Sequence, residues 1–162
     1  MAKQNGKPTS GSEWRKPRED GYVIKLVTSG NSVRLRPVAL DMLIATGSIP
    51  DILTPAAAKI LWDGPDAGLI AERNEIDREF IALVNTIVPA AMLYPRVVDT
   101  PQADDEISLD DLDFSDKVAI YQLAIQPAAV LRRFCDQQKA DVEPVHDGQD
   151  DEPATEQLSP DS

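Results

Sequence analysis

The chain has 162 residues, 42% of them apolar and 5% aromatic, and carries a formal charge of −12. That length and composition suit one small, mainly aliphatic domain with tails. A lone cysteine excludes an intramolecular disulfide framework, no apolar run reaches the length of a membrane span, and the N-terminus lacks the apolar stretch of a secretory signal, so a soluble cytoplasmic protein is expected.

The charge is unevenly placed. Residues 1–20 carry five Lys/Arg against three acids, and residues 21–98 carry seven against eight. Residues 99–116 hold eight acids and no base, and residues 136–162 hold nine acids against Lys139. Acidity thus lies in a linker and a tail around a nearly neutral middle. No broad positive face is available for phosphate contacts, which argues against a general nucleic-acid binder.

Residues 1–20 read as a flexible basic arm without periodicity, in which Trp14 is the one candidate for docking on the domain. The β-branched and aromatic run from Tyr22 to Val27 suits a strand, and Ser29, Gly30 and Asn31 suit a hairpin loop. The return strand from Ser32 to Arg36 alternates, with Val33 and Leu35 on one face and Arg34 and Arg36 on the other. Such a hairpin is marginal alone and must pack on helices or on another chain. Pro37 is expected to open a helix that presents Leu40, Leu43 and Ile44 on one side and stops at Gly47. An apolar loop follows (Ile49, Pro50, Asp51, Ile52, Leu53). Thr54 and Pro55 then read as cap and first turn of a helix through Trp62, broken by Asp63, Gly64, Pro65 and Asp66.

The longest helical signal covers about residues 67–88. Ile76, Phe80, Leu83, Val84 and Ile87 recur at three- and four-residue spacing, while Glu72, Glu75, Arg78 and Glu79 fall on other faces. Pro89 is expected to kink or end this helix, with a short apolar extension to Tyr94. An acidic connector with Ile107, Leu109, Leu112 and Phe114 as inward candidates leads to a helix over 116–124, capped by Ser115 and with Asp116 beside its N-terminus. Pro127 starts a last helix to about Gln138. Residues 139–162 are acidic, Pro-rich and poor in large apolar groups, which predicts disorder. The fold class expected is α+β and mostly α-helical, with an N-terminal hairpin packed on four or five helices. Its domain spans residues 21–136, between the arm (1–20) and the tail (137–162).

Little in the chain carries chemistry. His146, the only histidine, lies in the tail, so neither a catalytic triad nor a His-ligated metal is expected. Cys135 has no histidine nearby in sequence and reads as a small semi-buried thiol. A calcium loop beginning at Asp111, with Asp113 and Ser115 in register, fails where Asp116 replaces the glycine of position six and Gln122 the glutamate of position twelve. Gly64 to Gly68 is too short for a phosphate cradle. No catalytic, cofactor or metal residue is therefore assigned. Arg34 and Arg36 are candidates for binding a partner, although ordinary protective charge on an edge strand is the commoner role. Ile49, Ile52 and Leu53 are candidates for a hydrophobic partner patch, and burial of Ile49 and Leu53 in the core is at least as expected.

One resemblance gives these features a direction. Ser29-Gly30-Asn31-Ser32-Val33-Arg34-Leu35-Arg36-Pro37, then Leu40 and Leu43, then Gly47-Ser48-Ile49-Pro50-Asp51-Ile52-Leu53, resembles the N-terminal part of tail assembly chaperones of long-tailed bacteriophages. Residues 107–124 are similar to a second recurring block of those proteins, and Pro95-Arg96-Val97 ends a comparable intervening element. The resemblance covers about residues 20–135. It implies a non-enzymatic protein of the host cytoplasm that coats the helical tape measure protein during tail-tube assembly and is absent from the mature virion. It also brings the tail tube protein and self-association into view as further contacts. A second, longer form made by ribosomal frameshifting is common among such chaperones. Neither cofactor, nucleic acid nor membrane is expected as a partner. The main alternative is a structural virion component, a minor tail or head–tail connector protein that adds its hairpin to a neighbour's sheet. An acidic DNA mimic ranks below it, because the carboxylates concentrate in linker and tail, and an enzyme ranks last.

Overall fold

Alternating burial along two short segments builds the hairpin. In the computed structural model, which describes residues 7–68 and 78–142, β1 (Tyr22–Lys25) and β2 (Ser32–Leu35) pair antiparallel, with Ile24 opposite Val33 and Tyr22 opposite Leu35. Gly30, at φ +74°, takes the left-handed conformation of the connecting loop. Ile24, Leu26, Val33 and Leu35 face the core, and Val23, Lys25, Arg34 and Arg36 face out.

The sheet has a third strand that the sequence reading assigned to an apolar extension. β3 (Met92–Tyr94) pairs antiparallel with β2, Arg34 opposite Tyr94 and Leu35 opposite Met92. Leu93 is thus an extra residue on β3, a bulge in the ladder. Close approach explains Gly21 beside it: a Cβ there would lie 2.5 Å from the Leu35 carbonyl oxygen and 2.7 Å from Leu93 Cδ1. The Tyr94–Pro95 peptide is cis, and two-residue strands β4 (Arg96–Val97) and β5 (Glu106–Ile107) then pair in parallel. Arg96 fastens that pair through Glu106, 2.7 Å away.

The core forms around α4 (Arg78–Ala91). Phe80, Leu83, Val84, Ile87, Val88 and Ala91 are fully buried, at alternating spacings of three and one that keep them on one helical face. α4 packs on α5 (Phe114–Ala124), where the rings of Phe80 and Tyr121 meet edge to face at 5.5 Å. Pro89 does not end α4, which runs two residues further. Val88 and Ala91 are buried beside it, and burial of that last turn outweighs the one hydrogen bond proline cannot donate. Of the expected 67–88 helix, the portion with Glu72, Glu75 and Ile76 lies outside the described residues.

Several sequence-based boundaries shift. The arm is not without structure: α1 (Gly11–Glu19) is nucleated by a reciprocal cap, in which the Ser10 N–H donates to Glu13 Oε2 at 2.8 Å and the Glu13 N–H to Ser10 Oγ at 3.3 Å. It accommodates Pro17 within its length. Trp14 on it stays 73% exposed. Pro37 does not open α2 (Leu40–Ala45), which begins three residues later. Residues 36–38 are held by tertiary bonds instead: the Arg36 N–H donates to the Ala91 carbonyl and the Val38 N–H to that of Ala124, each at 2.9 Å. These bonds satisfy carbonyls at the ends of α4 and α5 that have no partner within their own helices.

Ser115 is not the cap of α5; Asp113 holds the N-cap position. The serine that caps is Ser108, paired with Asp111 across a 3₁₀ turn (Leu109–Asp111). Ile107, Leu109 and Leu112 pack against the core as expected, but Phe114, at the first turn of α5, stays exposed. Asp116 is buried in that turn, where the positive end of the helix dipole offsets part of the cost. α6 (Ala128–Val142) carries the helical domain past residue 136, so residues 139–142 are helical. The rest of the expected disordered tail, with His146, lies outside the described residues.

Candidate functional site

The loop expected to bind a partner divides between inside and outside. At the end of α2, Gly47 adopts φ +69° and donates to the Ile44 carbonyl at 3.0 Å. The chain folds back, the Ile49 N–H reaching the Leu43 carbonyl at 3.1 Å, and Ile49 enters the core at 1% exposure. A 3₁₀ turn (Asp51–Leu53) closed by the Leu53 N–H on the Pro50 carbonyl leads into α3 (Thr54–Asp63), with Pro55 in its first turn and no side-chain cap from Thr54. Leu53 is 2% exposed, while Ile52 is 75% exposed. Ile49 and Leu53 are therefore withdrawn as surface contacts and Ile52 remains.

Helical spacing explains this division and extends it. Leu53, Ala57 and Ile60 recur at intervals of four and three and are buried. Ile52, Pro55, Lys59 and Trp62 recur at three, four and three, and all are exposed, Trp62 at 87%. Leu61 flanks that stripe, and Met42 is exposed on α2, which packs against α3. Ile52 in the 3₁₀ turn and Trp62 on the outer face of α3 thus stand in water, with a single cation, Lys59, between them. Isolated exposed apolar residues are ordinary, and their alignment on one side makes this face a candidate for docking. Trp62, unassigned from sequence, was legible there through its periodic relation to Ile52.

The two arginines differ. The Arg36 side chain donates through Nε to the Ala90 carbonyl at 2.9 Å, placing a cation at the C-terminus of α4, whose own last turn has no base. It is thus committed within the fold. Arg34 is exposed, opposite Tyr94 on the outer face of the sheet.

The free edge of β1 is closed from within the chain. Gln138 of α6 accepts from the Lys25 N–H at 3.0 Å and donates to the Lys25 carbonyl at 2.9 Å, and the Cys135 thiol donates to the Val23 carbonyl at 3.2 Å. One side-chain amide thereby supplies the donor and acceptor that a neighbouring strand would offer. Cys135 and Gln138 share a face of α6 with Leu131 and Phe134, at the spacing of one narrow stripe. Sequence reasoning expected a semi-buried thiol where Cys135 is buried, and missed the glutamine, since nothing local distinguishes Gln138 from a solvated residue.

Hydrogen bonds from Ser10 hold the Glu13 carboxyl below its ordinary range, and those from Ser108 do the same for Asp111. Among the described residues no three of His, Cys, Asp or Glu are grouped to hold a metal ion, and no helix is long and apolar enough to cross a membrane.

The described chain is thus a mostly helical α+β protein that presents an apolar helix face. It belongs to DUF7391, a family of unknown function whose model matches residues 12–146. No curated protein and no solved structure matches it.

Proposed function

We propose that this protein is a tail assembly chaperone of a long-tailed bacteriophage, a non-catalytic partner that shields the tape measure protein until tube subunits replace it. The observation that carries the reading furthest is the exposed stripe formed by Ile52, in the 3₁₀ turn, and Trp62, on α3. It lies within and directly after residues 29–53, the segment whose sequence resembles such chaperones. A tape measure chain awaiting its tube exposes apolar helical stripes, and an apolar helix face is the surface that pairs with them. Modest affinity per copy and many copies per chain permit tight coating with later release. The net charge of −12 would keep such a coat soluble.

The alternative of a virion component that augments a neighbour's sheet through the hairpin requires displacing α6 from β1, where three hydrogen bonds hold it. Purified particles discriminate the two: a chaperone is absent from them, a connector is present in stoichiometric amount. The direct test is co-expression with the long helical protein encoded beside it in the same genome. Solubilisation of that protein is expected; if it stays in the pellet and binds nothing, the proposal fails.

A further inference from the structure

A cleft of about 1260 Å³ lies between α1, the turn into β1 and the first turns of α6. Its walls carry Lys7, Lys16, Arg18 and Arg132. Of its two acids, Glu13 is engaged in the Ser10 cap, and Asp20 closes α1. Ala128 and Ala129 bring the N-terminal turn of α6 to the same cleft, and that turn has no acidic side chain of its own. Four side-chain cations and the positive end of a fifteen-residue helix therefore converge in a protein whose net charge is −12.

We infer that this cleft is a seat for acidic peptide and that the chain's own C-terminal segment, residues 143–162, occupies it. Charge complementarity is the first argument. That segment holds seven carboxylates and no Lys or Arg, a composition the four cations of the cleft complement. Reach is the second. α6 begins at the cleft and ends at Val142, roughly 21 Å away at 1.5 Å per residue. An extended chain recovers that distance in about seven residues, which brings Asp150, Asp151 and Glu152 to the cleft mouth first. The return is short, so loop closure opposes it only weakly. Seating the tail would cover Trp14 and keep the cleft from other acidic chains, making any external ligand a competitor of the tail. The inference concerns the free protein and stands apart from the chaperone reading.

Zero-length carbodiimide crosslinking of the full-length protein, mixed from isotopically light and heavy chains and read by mass spectrometry, tests it. Within single chains, carboxylates of residues 143–162 should couple to Lys7 and Lys16 at least about fivefold more than to Lys59, an exposed lysine outside the cleft. The preference should collapse in 0.5 M NaCl, where the screening length falls to roughly 4 Å. Arg18→Gln with Arg132→Gln, which leaves the reporting lysines in place, should reduce it about threefold or more. Equal coupling to Lys7, Lys16 and Lys59 would overturn the inference. So would coupling only between light and heavy chains, or a preference indifferent to salt and to the two substitutions.

Discussion

Gln138 lies 113 residues from Lys25 in sequence, yet its side chain completes the edge of β1 with two bonds of ordinary length. Such bonds contribute about 1 kcal/mol each when solvent can replace them. Gln138→Ala is therefore expected to lower unfolding stability by about 1–2 kcal/mol in urea titrations and to speed hydrogen exchange at the Lys25 amide. Unchanged exchange would mean that α6 does not guard that edge. A second consequence concerns acid. The Glu13 and Asp111 carboxyls ionise more readily in the folded chain than in the unfolded one. Their contribution is fully present above the unfolded values of 4.5 and 3.8 and is lost as pH falls through the lower folded ones. Backbone chemical shifts followed from pH 6 downward should show the ends at Ser10 and Ser108 loosening only below about pH 4, and loosening at neutral pH would contradict the caps.

At the scale of elements, α3 presents two faces with opposite expectations. Ile52→Ser with Trp62→Ser should leave stability within about 0.5 kcal/mol of the parent, because both side chains already lie in water. Leu83→Ala in α4 should cost about 2–5 kcal/mol, since its side chain is fully enclosed. Chemical denaturation compares the two directly. The hairpin, the buried stripe of α4 and the helix stop at Gly47 were legible because each depends on local alternation, periodicity or a positive φ. The shifted elements depend on partners far along the chain. β3 was hidden because its pairing with β2 is non-local. Residues 36–38 looked like a helix start until the carbonyls of Ala91 and Ala124 claimed their N–H groups. The arm lacked the periodicity of a helix that a reciprocal cap sustains, and Pro89 argued for an earlier end to a helix that a buried face carries on. Of the candidate site, Ile52 was legible, whereas the burial of Ile49 and Leu53 depended on how the chain turns back after Gly47.

Over the whole molecule, the exposed pair Ile52 and Trp62 lies apart in sequence from the two acidic segments. The helical domain keeps its core around α4 and α5 and turns an apolar stripe of α3 outward, while carboxylates gather in residues 99–116 and in the C-terminal part. That separation suits a protein that must hold an apolar partner and stay dispersed at high local concentration. Membership in DUF7391 ties these features to a family without assigning them a task, so the task must be read from the surface. The most direct measurement is a pull-down of the co-expressed tape measure protein by the tagged parent chain and by the Ile52→Ser, Trp62→Ser variant, both verified as folded. The account predicts stable capture by the parent and a loss of at least about tenfold in the variant, the scale expected when a buried aromatic anchor is removed from an interface. Equal capture by both, or none by the parent, would contradict it.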